Sequence, residues 1–216
     1  MIKELEENNY IYIPNFISES HAKQLAKNFK HYCETNSISG DEQIPGSMSF
    51  HNYIDFLELL CNGVPNISEF IGEQVLPTYT YSRVYKNGAE LHRHRDRDAC
   101  EISVTLHLDG DSEWPILIQK PNGEEASLNL KSGDAMIYLG CVADHWREKF
   151  LGQEYIQVFL HYVRSRGERA YTYFDRIRDH EREAKNRPKI EVFARHHWLI
   201  PFELYFTRKF VFAKKD

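Results

Sequence analysis

The densest group of reactive side chains is LHRHRDRDAC, residues 91–100. His94 and Asp96 are separated by one residue, and in an extended chain positions i and i+2 point to the same side. His145 lies farther along, soon after the strand-like run AMIYLG (135–140). Two imidazoles and one carboxylate leave three positions of an octahedral metal open, the ligand set suited to non-haem Fe(II) and O2. A structural zinc site would take four protein ligands, and no thiolate stands beside these three. The chain holds 11 histidines, more than packing alone asks for. A bare His-x-Asp pair is common on protein surfaces, so the surrounding elements decide.

Those elements change character along the chain. YIYIPNF (10–16) reads as a short strand ended by Pro14, and Ser18 or Ser20 caps a helix whose apolar stripe is Ala22, Leu25, Ala26, Phe29 and Tyr32. Ser37 to Ser49 reads as a loop, and residues 52–62 and 65–75 as two helices broken by Gly63 and Pro65. After Pro77 the pattern turns to strands. YTYSRVY (79–85) leads into a KNG turn, and EISVTLHLD (101–109) alternates. Ile102, Val104, Leu106 and Leu108 take one face; Ser103, Thr105 and His107 take the other. WPILIQK and ASLNLK form a hairpin about PNGEE, an SGD turn precedes AMIYLG, and EYIQVFLHYV (154–163) is a long strand. Seven or eight strands in so short a span fit a sandwich, a barrel or a double-stranded β-helix. Residues 164–187 are highly charged and read as a solvated helix stopped by Pro188; the aromatic tail after it is expected to pack back on the domain.

Composition narrows the classes. The chain has 216 residues, which suits one domain, and 42% hydrophobic residues, enough for a core. A net charge of -5 argues against a protein that coats polyanions, so specific nucleic-acid binding is not expected. Cys33, Cys61, Cys100 and Cys141 form no CxxC pair and read as reduced thiols of a cytoplasmic protein. No apolar run reaches the length of a membrane helix, and the charged N-terminus has no signal-peptide core, so no membrane partner is expected.

Three segments, YSRVYKNGAELHRHRDRDACEISVTLHLD, KSGDAMIYLGCVADHWRE and QVFLHYV, together resemble the Fe(II)/2-oxoglutarate-dependent dioxygenases, in particular their prolyl-4-hydroxylase-like branch. The resemblance covers roughly residues 77–164. It implies a fold that is α+β with a mainly β core, a double-stranded β-helix (jelly roll) flanked by N-terminal helices and a C-terminal charged helix. A single domain would then comprise residues 1–76 as helical support, 77–164 as the core, and 165–216 as the charged helix and aromatic tail. The implied iron ligands are His94, Asp96 and His145. The implied cofactors are Fe(II), 2-oxoglutarate as cosubstrate, and O2. The implied reaction is hydroxylation of a peptidyl proline or a small molecule, with release of succinate and CO2.

The family pairs the far carboxylate of 2-oxoglutarate with a cation near the start of the last core strand. Here that window holds Glu154 and Tyr155. A buried carboxylate needs a cation or several donors. Arg147, which shares strand parity with His145, is the first candidate; Arg83, on one face with Tyr81 and Tyr85, is the second; Lys149 and Arg164 follow. Tyr85 matches a position whose phenol often bonds the ligand in the family, and His107 and Thr105 lie on the polar side of their strand. Each of these also reads as interior filling, as do His92 and His161. Trp146 reads as packing, while Arg97 and Glu101 either orient the ligands or pair on the rim. Two other readings stay open. A cupin-type metal enzyme would use His92 with His94, a carboxylate and His145. A non-enzymatic jelly-roll binding module would use the basic, aromatic FTRKFVFAKK. The substrate and the oligomeric state are not legible.

Overall fold

The computed structural model describes residues 2–175. Helix α1 (Ile2–Asn8) precedes strand β1 (Tyr10–Ile13), and α2 (Glu19–Thr35) follows. Ser18 is the N-cap of α2, its hydroxyl accepting from the His21 amide, which leaves one fewer unbonded amide at the helix start. Then come β2 (Met48–His51), α3 (Ile54–Ile71), β3 (Val75–Lys86), β4 (Leu91–His94), β5 (Ile102–Gly110), β6 (Ile116–Gln119), β7 (Glu125–Leu128), β8 (Ala135–Tyr138), β9 (His145–Arg147) and β10 (Glu154–Arg164).

Among the described residues ten strands form two antiparallel sheets, one ordered β1-β8-β5-β10-β3-β2 and the other β4-β9-β6-β7. From β3 to β10 the chain passes between them, with the β6–β7 hairpin inside the smaller sheet. That alternation is the winding of a double-stranded β-helix. The alternation expected of residues 101–109 is present: Ile102, Val104, Leu106 and Leu108 join a core with Ala22, Leu25, Phe29, Phe56, Leu60 and Ile67 of α2 and α3. Ile156, Val158, Leu160 and Tyr162 of β10 lie on the same side. Ser103, Thr105 and His107 turn to the other face and are also buried. Among the described residues no helix is long and apolar enough to cross a membrane, and all four cysteines are free.

Five local readings are corrected. The break at Gly63 and Pro65 does not occur: α3 runs through both, because Phe56, Leu60, Gly63, Ile67 and Ile71 form one buried stripe. A Cβ at Gly63 would stand 2.8 Å from the Tyr162 hydroxyl, which donates to the Leu60 carbonyl at 2.9 Å. The glycine is there for close approach. Pro65 removes the bond to the Cys61 carbonyl, on the exposed side of the helix. Second, β3 starts at Val75, before Pro77. Third, the Ser37–Ser49 loop ends in strand β2, whose Met48 pairs with Val84. Fourth, α1 was not anticipated; its Leu5 is buried in the core. Fifth, the charged helix expected from residue 164 does not begin there: Arg164 ends β10, and a turn and a short 3-10 element (Ala170–Asp175) follow; the rest of that helix and the aromatic tail lie outside the described residues.

Candidate active site

The structure brings His94, Asp96 and His145 together. Their ligand-type atoms lie within 4.8 Å of one another. Both imidazole Nε2 atoms stand 3.6 Å from Asp96 Oδ1. Local chemistry sets this orientation. Each Nδ1 faces a main-chain carbonyl, His92 O at 2.8 Å and Ala143 O at 3.0 Å. A carbonyl only accepts, so each Nδ1 carries a proton and each Nε2 is turned inward, able to offer a lone pair to a metal or, when protonated, to donate to Asp96. Asp96 Oδ2 accepts from Ser103 Oγ at 3.0 Å, which leaves Oδ1 for the histidines. Burial opposes the charge of Asp96, but the two imidazoles hold its carboxyl well below the usual carboxylate range. Burial also works against protonation of His94, and Asp96 more than offsets it, so its pKa is raised.

Asp96 is not on a strand, although the i, i+2 reading placed it there. Strand β4 ends at His94. The Asp96 amide instead donates to Gly140 O at 2.9 Å. A Cβ on Gly140 would meet Asp96 Oδ2 at 2.5 Å and Cys100 O at 2.3 Å. Only glycine allows the post-β8 turn to press against the carboxylate. His145 begins β9 and pairs with His94 across the smaller sheet.

In front of these three residues opens a cavity of about 470 Å³. Strand register lays the inward-facing residues of the larger sheet out in rows, of which His51, Tyr81, Phe159, Ser49 and Arg83 line the cavity. His51, Tyr81, Phe159 and Thr105 sit side by side on β2, β3, β10 and β5; Ser49, Arg83, Gln157 and His107 form the next row; Tyr85 pairs with Tyr155 beyond that. Two bulges shape the rows. Leu108 is an extra residue on β5 between the partners of Ile156 and Gln157, and Thr78 with Tyr79 oppose His161 alone.

The two candidate cations lie in different places. Arg83 lines the open cavity and is paired with Asp41, with Gln43 Oε1 at 2.8 Å. Arg147 is 1% exposed and meets no carboxylate among the described residues. Its guanidinium donates to Trp114 O and to Gln157 Oε1 at 3.1 Å, and lies beside the rings of Trp114 and Tyr155. Around it, Tyr85 OH, Tyr155 OH, Thr105 Oγ1, His107 Nδ1, Gln157 Nε2 and Arg147 Nε are buried without a well-formed hydrogen-bond partner. Each such group costs about 1–3 kcal/mol. His107 stacks on Tyr155 with centroids 4.1 Å apart. Burial, with the charge of Arg147, pushes its pKa down to about 4, so it is neutral.

Sequence reasoning passed over several residues. Tyr155 stood in the window searched for a cation, and period 2 from Tyr155 would have added Gln157, Phe159 and His161 to the inner wall. His161, read as structural, bonds Ser103 Oγ at 2.9 Å and lines the cavity. Tyr79, His51 and Asp41 carried no local signal. His92, by contrast, is 83% exposed in its side chain and faces Glu90, so the cupin ligand set is not assembled. Glu101 accepts from Arg164, while Arg97 donates to Asp175 and lies over the Tyr79 ring. Trp146 packs under Arg93. Lys149 reaches Gly88, and Arg164 pairs with Glu73 and Glu101.

No protein-family model matches the chain, and no curated protein matches it. Solved structures do. A prolyl-4-hydroxylase of Pseudomonas putida is 17% identical over 77% of this chain and 97% of its own, with a TM-score of 0.62. HygX of Streptomyces hygroscopicus, solved with nickel and 2-oxoglutarate, is 8% identical over 76% and 86%, at 0.62. The epimerase SnoN, in complex with Fe3+, alpha ketoglutarate and nogalamycin RO, is 8% identical over 76% and 82%, at 0.64. At such identities the likeness is one of fold.

Proposed function

We propose that this protein is an Fe(II)- and 2-oxoglutarate-dependent oxygenase, with residues 77–164 as its catalytic core. The observation that carries the reading is the pairing of two features inside one jelly roll. One is a His94–Asp96–His145 cluster with both Nε2 atoms turned inward. The other is a buried, carboxylate-free arginine among unbonded polar groups. Neighbours of this fold hold iron or nickel and 2-oxoglutarate, which fits the same pair of features.

His94, Asp96 and His145 would hold the metal. Arg147 would take the far carboxylate of 2-oxoglutarate, with Tyr85, Tyr155, Thr105, His107 and Gln157 supplying or accepting further bonds. A buried guanidinium without an anion is costly, and a dianion removes that cost. Arg83, already engaged by Asp41 and Gln43, faces the substrate side instead. Iron with 2-oxoglutarate and O2 supplies oxidising power for C–H oxygenation, with succinate and CO2 as co-products. The protein's own part is to fix the tautomers of both histidines, hold Asp96 through Ser103 and Gly140, and keep the inner polar groups away from water.

A cavity of about 470 Å³ is of a size that suits hydroxylation of a small molecule. The test is anaerobic addition of Fe(II) and 2-oxoglutarate. A metal-to-ligand charge-transfer band, lost in Asp96→Ala, is the expected result. No band in wild type at saturating iron overturns the reading.

A further inference from the structure

One wall of the cavity is a closed circuit of five rings. His51 lies 4.4 Å from Tyr81 and 5.7 Å from Tyr79; Tyr81 lies 6.5 Å from Phe159; Phe159 lies 6.2 Å from His161; and His161 lies 4.5 Å from Tyr79. Phe159 and His161 are nearly coplanar in tilt, at 5°. All five line the cavity. They come from three adjacent strands, so the wall is rigid and broad enough to seat a flat ring by offset stacking.

At the edge of this wall stands Arg83. It is 3% exposed and held over the rings of Tyr81 and Tyr85 at 4.9 and 5.7 Å. Its one carboxylate partner among the described residues is Asp41, from the α2–β2 loop. The Asp41 carboxylate also accepts from Tyr81 OH and from the Ile44 amide at 2.9 Å. Burial opposes its ionisation, but these bonds bring its pKa down to about 2, so it is charged at neutral pH. Arg95 and Arg97 line the same cavity, each with an aspartate of its own. Asp41 and Asp96 are the carboxylates among the cavity's lining residues, and Asp96 is turned to the histidines.

We propose that the substrate of this cavity is a planar ring bearing a carboxylate, the ring lying on the five-ring wall and the carboxylate replacing that of Asp41 on Arg83 and Tyr81. This rests on the oxygenase reading and adds the class of substrate. Asp41 already occupies the anion position, so it is an internal competitor. The exchange runs on the Asp41 side because Arg83 is on β3 with β2 paired on one side and β10 on the other, whereas Asp41 belongs to a connecting loop. A cationic substrate would have to dislodge a buried arginine from two aromatic rings.

The probe is benzoate, titrated calorimetrically into the full chain carrying Ni²⁺ and 2-oxoglutarate, with benzylamine as its cationic counterpart. Benzoate is expected to bind, and benzylamine to bind at least about tenfold more weakly. Arg83→Gln is expected to weaken benzoate about tenfold or more, the loss of one charge-assisted contact. Arg83→Lys keeps the charge in case the glutamine variant does not fold, and is expected to lie between. Asp41→Asn is expected to tighten benzoate about threefold or more, since the competitor is removed. A weaker or unchanged affinity in Asp41→Asn overturns the proposal, as does equal affinity in Arg83→Gln or equal binding of benzylamine. A charge-transfer band with iron, without any dependence of benzoate on Arg83 and Asp41, overturns this inference and leaves the oxygenase reading standing. The converse pattern overturns the oxygenase reading alone.

Discussion

Strands β5 and β10 each turn one face to α2 and α3 and the other to the space between the sheets. On the first lie Ile102, Val104, Leu106, Ile156, Val158 and Leu160; on the second lie Ser103, Thr105, His107, Tyr155, Gln157 and His161. Both faces are buried, so burial does not distinguish them. What differs is bonding. The outer face meets apolar side chains and is complete. The inner face, with Arg147 and Tyr85 beside it, carries six of the seven buried side-chain atoms that lack a well-formed partner among the described residues; Thr80 is the seventh. One side of a strand stabilises the fold, while the other carries polar groups with no well-formed partner among the described residues.

The sharpest way to break this contrast is to exchange consequences between the faces. Asp96→Ala is expected to abolish iron binding, read by calorimetry, while the thermal midpoint of the metal-free protein falls little. Leu160→Ala on the outer face is expected to cost about 2–5 kcal/mol in urea unfolding and leave iron affinity unchanged. Loss of metal binding in a still-folded Leu160→Ala protein would collapse the distinction.

Smaller effects sharpen it. His107 is neutral in the fold, with a pKa of about 4 against an ordinary 6.5. Between those values the unfolded chain binds the proton and the folded chain does not. Its contribution is therefore complete above pH 6.5 and is lost as the pH falls toward 4, up to about 3 kcal/mol. Urea midpoints measured across that window should fall less steeply in His107→Gln. Arg147→Met is expected to weaken 2-oxoglutarate about tenfold or more without lowering the stability of the ligand-free protein, because a buried unpaired charge is removed. Ser18→Ala, remote from both faces, should cost about 1 kcal/mol and nothing in binding.

Much of this division was legible in the sequence because it has period 2. The alternation in EISVTLHLD sorted both faces of β5, and the run AMIYLG pointed to His145. What escaped depended on partners distant in sequence. Gly63 and Pro65 carry the local signature of a break, yet a continuous apolar stripe under Tyr162 overrides it. Asp41 sits in a loop whose composition says only loop; its partners Tyr81 and Arg83 are forty residues away. The placement of Asp96 was right for an incomplete reason: the carboxylate arrives by a bond to Gly140, not by strand parity.

Strand β10 is paired along most of its length with β3 on one edge and β5 on the other. Its amide hydrogens are therefore expected to exchange with solvent only through global unfolding, at the slowest rate in the molecule. The α2–β2 segment around Asp41 has no strand partner, and its amides are expected to exchange faster. Phe159 and His161 then form a wall expected to last as long as the fold itself.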